Sequence, residues 1–137
     1  MTDPFFSLYD IAYHYDAMSI LEVKYCQNEH ETVAASLARF DDVLRENVGA
    51  GKHMLILGSD EYGRMLEVNR WLFNAFDWLH TEGLKADLKE VARRAIETDR
   101  MNGVDRPAAK RALQERWFPD QPLTEQKMGY DKTGEKV

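Results

Sequence analysis

The chain is short of several things, and each shortage excludes something. It has one cysteine, Cys26, so no internal disulfide can form and a reducing cytoplasm is the expected location. Its 4 prolines and 8 glycines are too few to break helices often. No run of ~18 apolar residues is present, and no basic segment leads into an apolar one near the start, so neither a membrane span nor a secretion signal is expected. Positive charge is not in excess either. The net charge is −6, which makes nucleic acid an unexpected partner, because the phosphate backbone would be repelled.

What is present points to one folded domain. Hydrophobic residues make up 44% of the 137, with 6 Phe, 6 Tyr and 3 Trp, enough for a real core. Residues 1–118 read as a single helical domain and residues 119–137 as a C-terminal arm. Charge is uneven along the chain. Residues 1–83 carry 6 basic and 14 acidic side chains, whereas residues 84–116 carry 9 basic and 6 acidic. The two regions should attract each other, within one chain or across a dimer.

The hydrophobic periodicity is helical throughout. Leu8, Ile11, Tyr15, Met18 and Tyr25 form one stripe over residues 7–27. Asn28 followed by Glu31 resembles a capping box for a second helix, whose seam is Val33, Leu37, Phe40 and Leu44 and whose end lies near Gly49 and Gly51. Residues 54–57 read as the lead-in to a long third helix, with Gly58 a weak point and Ser59 and Asp60 the candidate caps if the helix starts afresh. Tyr62, Met65, Leu66, Leu72, Phe73, Phe76 and Leu79 continue it to Gly83. Leu84, Leu88, Val91 and Ala95 mark a fourth helix, which Asn102-Gly103 should break. Asp105 then serves as an N-cap ahead of Pro107, and a last helix carries Leu113 and Trp117 before Pro119 and Pro122.

Few residues offer chemistry. The segment Gly49-Ala-Gly51-Lys52-His53 looks like a phosphate loop, but Glu46 stands where the first glycine should be and His53 where a hydroxyl is needed; it reads as a solvated turn. Asp77 and His80 have the spacing of a metal-binding pair on one helix face, yet a di-metal bundle needs a second pair and two more inward carboxylates. The same face at His80 suits a histidine at a helix C-terminus. The first three helices lack the Glu-x-x-Glu of helical nucleotide pyrophosphatases. Cys26 lies at a helix end, where the dipole works against a thiolate. No catalytic residue, metal or cofactor is assigned.

Polar residues on apolar seams carry more information. Asn69 lies in line with the apolar residues of the third helix, and Glu22 and Asp77 fall on or beside seams. These three are the candidate buried or register-setting groups. Asn69 is expected to be buried and hydrogen-bonded to another helix, and Asn69→Leu to be neutral or stabilising while relaxing the oligomer state. A buried Glu22 would want a cation, and Arg93 and its neighbours could supply one. That supply gives a candidate anion-binding set: Lys24, Arg94, Arg100, Arg106, Lys110, Arg111 and Lys127. Arginine forks suit phosphate or carboxylate. The competing reading is a set of internal salt bridges.

Four signatures stand in order along the chain: Asp16-Ala-Met-Ser-Ile-Leu-Glu-Val-Lys24, Val68-Asn69-Arg70-Trp71-Leu72-Phe73 running on to Asp77, Arg106-Pro-Ala-Ala-Lys110-Arg111, and Glu125-Gln-Lys127-Met-Gly-Tyr130. Over about residues 10–131 the chain resembles a bacterial and phage group of small, uncharacterised helical proteins. That group carries Asp-Lys-x-Thr-Ile-Leu-x-Ile-Lys, Val-Asn-x-x-Leu-Trp, Asn-Asp-x-Arg leading to Lys-Arg, and Glu-Glu-Lys-Ser-Tyr. Here the first lysine is Ala17, the tryptophan is Phe73, Glu-Glu-Lys is Glu125-Gln126-Lys127, and Asn-Asp-x-Arg matches only loosely, at either Asp99-Arg100 or Asp105-Arg106. The resemblance implies a helical fold but brings no activity with it.

The expected fold is all-α: an antiparallel helical hairpin or bundle of four to five helices with a C-terminal arm, and the arm over residues 123–130 is expected to dock on the body through Tyr130 and Lys127. The aromatic load on the first and third helices predicts a homodimer. The expected function is a non-enzymatic oligomerisation or protein-partner-binding module. Its rival is a small enzyme or binding protein for an anionic small molecule, a nucleotide-sugar or sugar phosphate. Gathering of Lys24, Asn69, Arg100, Arg106, Lys110 and Lys127 around one concavity would favour the rival.

Overall fold

The computed structural model describes residues 11–121, and the expected docking of residues 123–130 lies outside them. Within them the chain forms six α-helices: α1 (Ile11–Asn28), α2 (Glu31–Val48), α3 (Ala50–Leu57), α4 (Asp60–Thr81), α5 (Leu88–Arg100) and α6 (Arg106–Trp117). The fold is all-α, and no strand occurs among the described residues. None of these helices is long and apolar enough to cross a membrane.

Helix α1 is the centre of the bundle. Its buried residues Ile11, Ala12, Tyr15, Asp16, Met18, Ser19 and Val23 recur at three- and four-residue steps around more than one stripe, so it packs on α2, α4 and α6 together. The core joins Ile11, Tyr15 and Met18 to Leu44 of α2, Ile56 of α3, Tyr62 and Met65 of α4, and Leu113 of α6, with Phe118 closing the end. Full burial of each large aliphatic side chain contributes about 1.5–3 kcal/mol. The Gln114 side chain, buried on α6, accepts from the Ala12 N–H at 3.1 Å and donates to the Gln121 carbonyl at 3.0 Å. It thereby ties α6 and the segment after it to α1.

Several boundaries differ from the sequence expectation, each for a local reason. The cap of α2 is His30, whose Nδ1 accepts from the Thr32 N–H; Glu29 turns the chain with φ 46° and no Asn28 capping box forms. Gly49, at φ 100°, makes the sharp turn that lets α3 start at once as a separate helix, so residues 54–57 belong to it and are not a lead-in to α4. Ser59 caps α4, accepting from the Tyr62 N–H. At the far end of α4 the Gly83 N–H donates to the Trp78 carbonyl, and a Cβ at Gly83 would overlap the Leu79 carbonyl oxygen. Asn102-Gly103 does not break the chain. It lies in a π-helical turn, Met101–Asp105, that carries α5 straight into α6, and Asp105 makes no side-chain cap.

The largest departure is α5. The sequence places Leu84, Leu88, Val91 and Ala95 on a core seam. In the structure Leu84 precedes the helix and is 99% exposed, Leu88 is 81% exposed and Ile96 is 66% exposed. Thr98 is the one buried residue of α5, and the helix adds nothing to the core cluster. It leans on α4 alone, where the Arg94 guanidinium stacks on the Trp78 ring at 4.0 Å, a cation–π contact.

Candidate functional site

The signatures that stand far apart in sequence meet at one point. Asp16 faces inward from α1, one turn before Ser19 and Ile20, and is 1% exposed. A carboxylate so deep needs its charge answered. Arg106, the first residue of α6, answers it: Nη2 donates to Oδ2 at 2.6 Å, and Nε reaches Oδ2 at 3.1 Å and Oδ1 at 3.3 Å. Asn69, buried on α4, completes the shell. Its amide nitrogen donates to Asp16 Oδ1 at 2.8 Å and to Ser19 Oγ at 2.7 Å. Ser19 in turn donates to the Asp16 carbonyl at 2.7 Å.

A π-helical turn leads directly into Arg106, and Arg106 Nη1 donates to Asn102 Oδ1, four residues earlier and on the same face, at 3.2 Å. The guanidinium is thus held at three nitrogens in a fork that matches a carboxylate. Beside this pair a cleft of about 200 Å³ opens between α1, α4 and the π turn. Lys24, Asn69, Asn102 and Arg106 supply its polar side, and Ile20, Val23, Leu72, Phe73 and Phe76 its apolar side.

A second buried polar chain runs through the core. His53 of α3 is fully buried between Asp41 and Tyr15: its Nε2 lies 2.7 Å from Asp41 Oδ1, and its Nδ1 lies 2.9 Å from the Tyr15 hydroxyl. Arg45 holds the other Asp41 oxygen at 2.7 Å. Hydroxyl, imidazole and carboxylate in a row are the parts of a nucleophile relay. Here the hydroxyl end is sealed, since Tyr15 has no exposed surface. Burial, with Asp41 adding to it, pushes the Tyr15 phenol well above the ordinary tyrosine range, so it remains a neutral donor. The relay therefore holds α1, α2 and α3 together. Tyr62 is similar: it donates to Glu22 at 3.1 Å, and burial followed by the nearby Glu22 charge raises its phenol.

Most of the residues singled out in the sequence are dispersed. Lys24, Asn69 and Arg106 share the cleft. Arg94 is engaged with Glu90 and Trp78, Arg93 pairs with Glu97 and Glu90, and Arg100 lies in a shallow groove along α5. Lys110 is buried on α6 and Arg111 is half-buried there; neither lines the cleft. Lys127 is outside the described residues. The single basic pocket is thus corrected to one ion pair, one lysine and separate helix-surface pairs. Asp77 is corrected too: it is exposed, and its carbonyl accepts from Thr81. Glu22 is half-buried and takes the Tyr62 hydroxyl in place of an arginine. Among the described residues, no three His, Cys, Asp or Glu side chains gather as a metal site requires.

Sequence reasoning missed Asp16 as the buried carboxylate and His53 as a core residue. The signal for Asp16 was its step of four from Ala12 and of three to Ser19, both on the buried face. For His53 it was the step of three to Ile56, hidden by the glycines before it. Asn69 also has a different role from setting register alone. It donates to a buried charge, so Asn69→Leu is expected to destabilise the chain by about 1–3 kcal/mol, measured by urea unfolding, not to leave it neutral. Comparison with known protein families, curated proteins and solved structures finds no match to this chain.

Proposed function

We propose that the chain is a non-enzymatic association module that pairs with a second copy of itself through α5. The observation that carries this is the apolar stripe of Leu88, Ala92 and Ile96, with Leu84 exposed just before it, left open on a helix that gives the core nothing. Monomers seldom leave such side chains contiguous and uncovered. The flanks are self-complementary. In an antiparallel pairing centred on Ala92, Leu88 of one copy meets Ile96 of the other, the small Ala92 side chains allow close approach, and Lys89 lies beside Glu97 in two equivalent places. Of the aromatic residues expected to drive pairing, Tyr15 and Tyr62 are buried in the core of the chain, whereas Tyr13, Trp71 and Phe76 stay exposed.

Sedimentation velocity across about 1–100 μM, where most specific homodimers are populated, should show a species of twice the 15.9 kDa chain mass. Leu88→Glu with Ile96→Glu should give the single-chain mass with unchanged helicity, because neither side chain belongs to the core. Lys89→Glu should weaken pairing, and adding Glu97→Lys should restore it. A wild-type chain that sediments as 15.9 kDa throughout would overturn the proposal.

A further inference from the structure

We infer that the cleft beside the Asp16–Arg106 pair binds a small organic carboxylate with an apolar body. This site is separate from the pairing face on α5 and does not depend on it.

Three features of the cleft point to that ligand class. The first is its two-sided chemistry. Phe73, Phe76 and Leu72 of α4 form an apolar wall, and Phe76 remains 44% exposed. Opposite stand Lys24, Asn102 and Arg106. Apolar walls with a few convergent polar groups are the usual make-up of a small-molecule site. The second is charge. Among the described residues no acidic side chain lines this cleft. The nearest carboxylate, Asp16, lies behind it and is already held by the Arg106 fork. Lys24 is thus the cation available to a ligand, with Asn102 and the outer edge of Arg106 as neutral or spent partners. One ammonium suits a monoanion better than a phosphate dianion, which favours two or more cations or a backbone cradle. The third is size. At about 200 Å³ the cleft is smaller than the ~300 Å³ at which drug-sized sites begin, which is room for one ring or a branched chain with a carboxylate.

The π-helical turn strengthens the assignment. Such turns cost regular hydrogen bonding and recur where a helix must aim a side chain at a site. Asn102 lies within this one and bonds Arg106, which follows it directly and is also held by Asp16, so the polar side is set before any ligand arrives.

The test uses the full chain and 3-phenylpropionate as probe, followed by amide chemical shifts. Saturable shifts should appear around Lys24, residues 72–76 and Asn102, at probe concentrations up to about 10 mM. The neutral isostere 3-phenylpropanol should bind at least about tenfold more weakly, as loss of a charge-assisted bond requires. Lys24→Met should weaken the probe by a similar factor and Phe76→Ala by about threefold or more; both side chains are exposed, so the fold should survive. Lys89→Met, on the pairing face, should change nothing. The paired Leu88→Glu and Ile96→Glu variant should bind the probe as the wild type does, which separates this site from the association proposal. Absence of saturable shifts, equal binding of the alcohol, or equal binding of inorganic phosphate at the same residues would each overturn the inference.

Discussion

Arg106→Met is expected to lower stability by about 3–5 kcal/mol, with a fall in melting temperature of roughly 10 °C or more. Arg106 supplies the close contacts to both oxygens of Asp16, which is almost wholly buried, and Asn69 supplies the remaining one on the side-chain oxygens among the described residues. Removing the fork leaves a buried carboxylate with one amide donor. Removing the charge at the same time should remove most of the penalty. Arg106→Met with Asp16→Asn should therefore be clearly more stable than Arg106→Met alone, with a coupling energy of about 1–3 kcal/mol in a double-mutant cycle. Urea unfolding of the four chains measures it. If the two losses simply add, the pair is a surface-like contact and Asp16 is reached by water.

Stability should also collapse at alkaline pH, and the sign follows from the tyrosines. Tyr15 and Tyr62 have folded pKa values raised above the ordinary 10.0, by burial first and by nearby carboxylates second. Below pH 10 both are protonated in folded and unfolded chains, and their contribution is fully present. As pH rises past 10 the unfolded chain releases two protons that the folded chain retains. Each tyrosine then removes about 1.4 kcal/mol per pH unit, about 2.7 kcal/mol for the pair. Between pH 11 and 12 that slope should bring on unfolding, with the two phenols ionising only as the helix signal is lost. Tyr62→Phe should halve the tyrosine part of the slope, read as urea midpoints at pH 9, 10, 11 and 11.5 by circular dichroism. A slope equal to that of the wild type would mean that Tyr62 titrates in place and water reaches its hydroxyl.

Helix content was legible because it is local. Steps of three and four among Ile11, Tyr15 and Met18, and among Tyr62, Met65 and Leu72, report one buried face whatever the neighbours are. The Ser59 cap and the glycine turn at Gly83 were also readable, since a cap or a stop is chemistry within a few residues. The reading failed where periodicity was present but burial was not. Leu84 and Leu88 follow the same arithmetic as the core residues, yet nothing in a helix pattern says whether another element will cover it. It failed again at Asn102-Gly103, because a pair that ends helices when water can take up the freed backbone groups can be carried through as a π turn when helices on either side are packed.

By itself the sequence determined the class of fold, the positions of α1, α2, α4, α5 and α6 to within a few residues, and the fact that polar groups sit on apolar faces. Those are consequences of short-range sterics, capping and periodicity. Which polar group is buried with which partner was decided by the tertiary structure. Asp16 and Arg106 lie 90 positions apart, and Asp41, His53 and Tyr15 come from three helices. Any of the basic residues between Arg93 and Arg111 has the chemistry to neutralise a buried carboxylate, and several acidic residues have the chemistry to accept it. Only the packing of α6 and α4 on α1 selects one pair and leaves the cleft beside it.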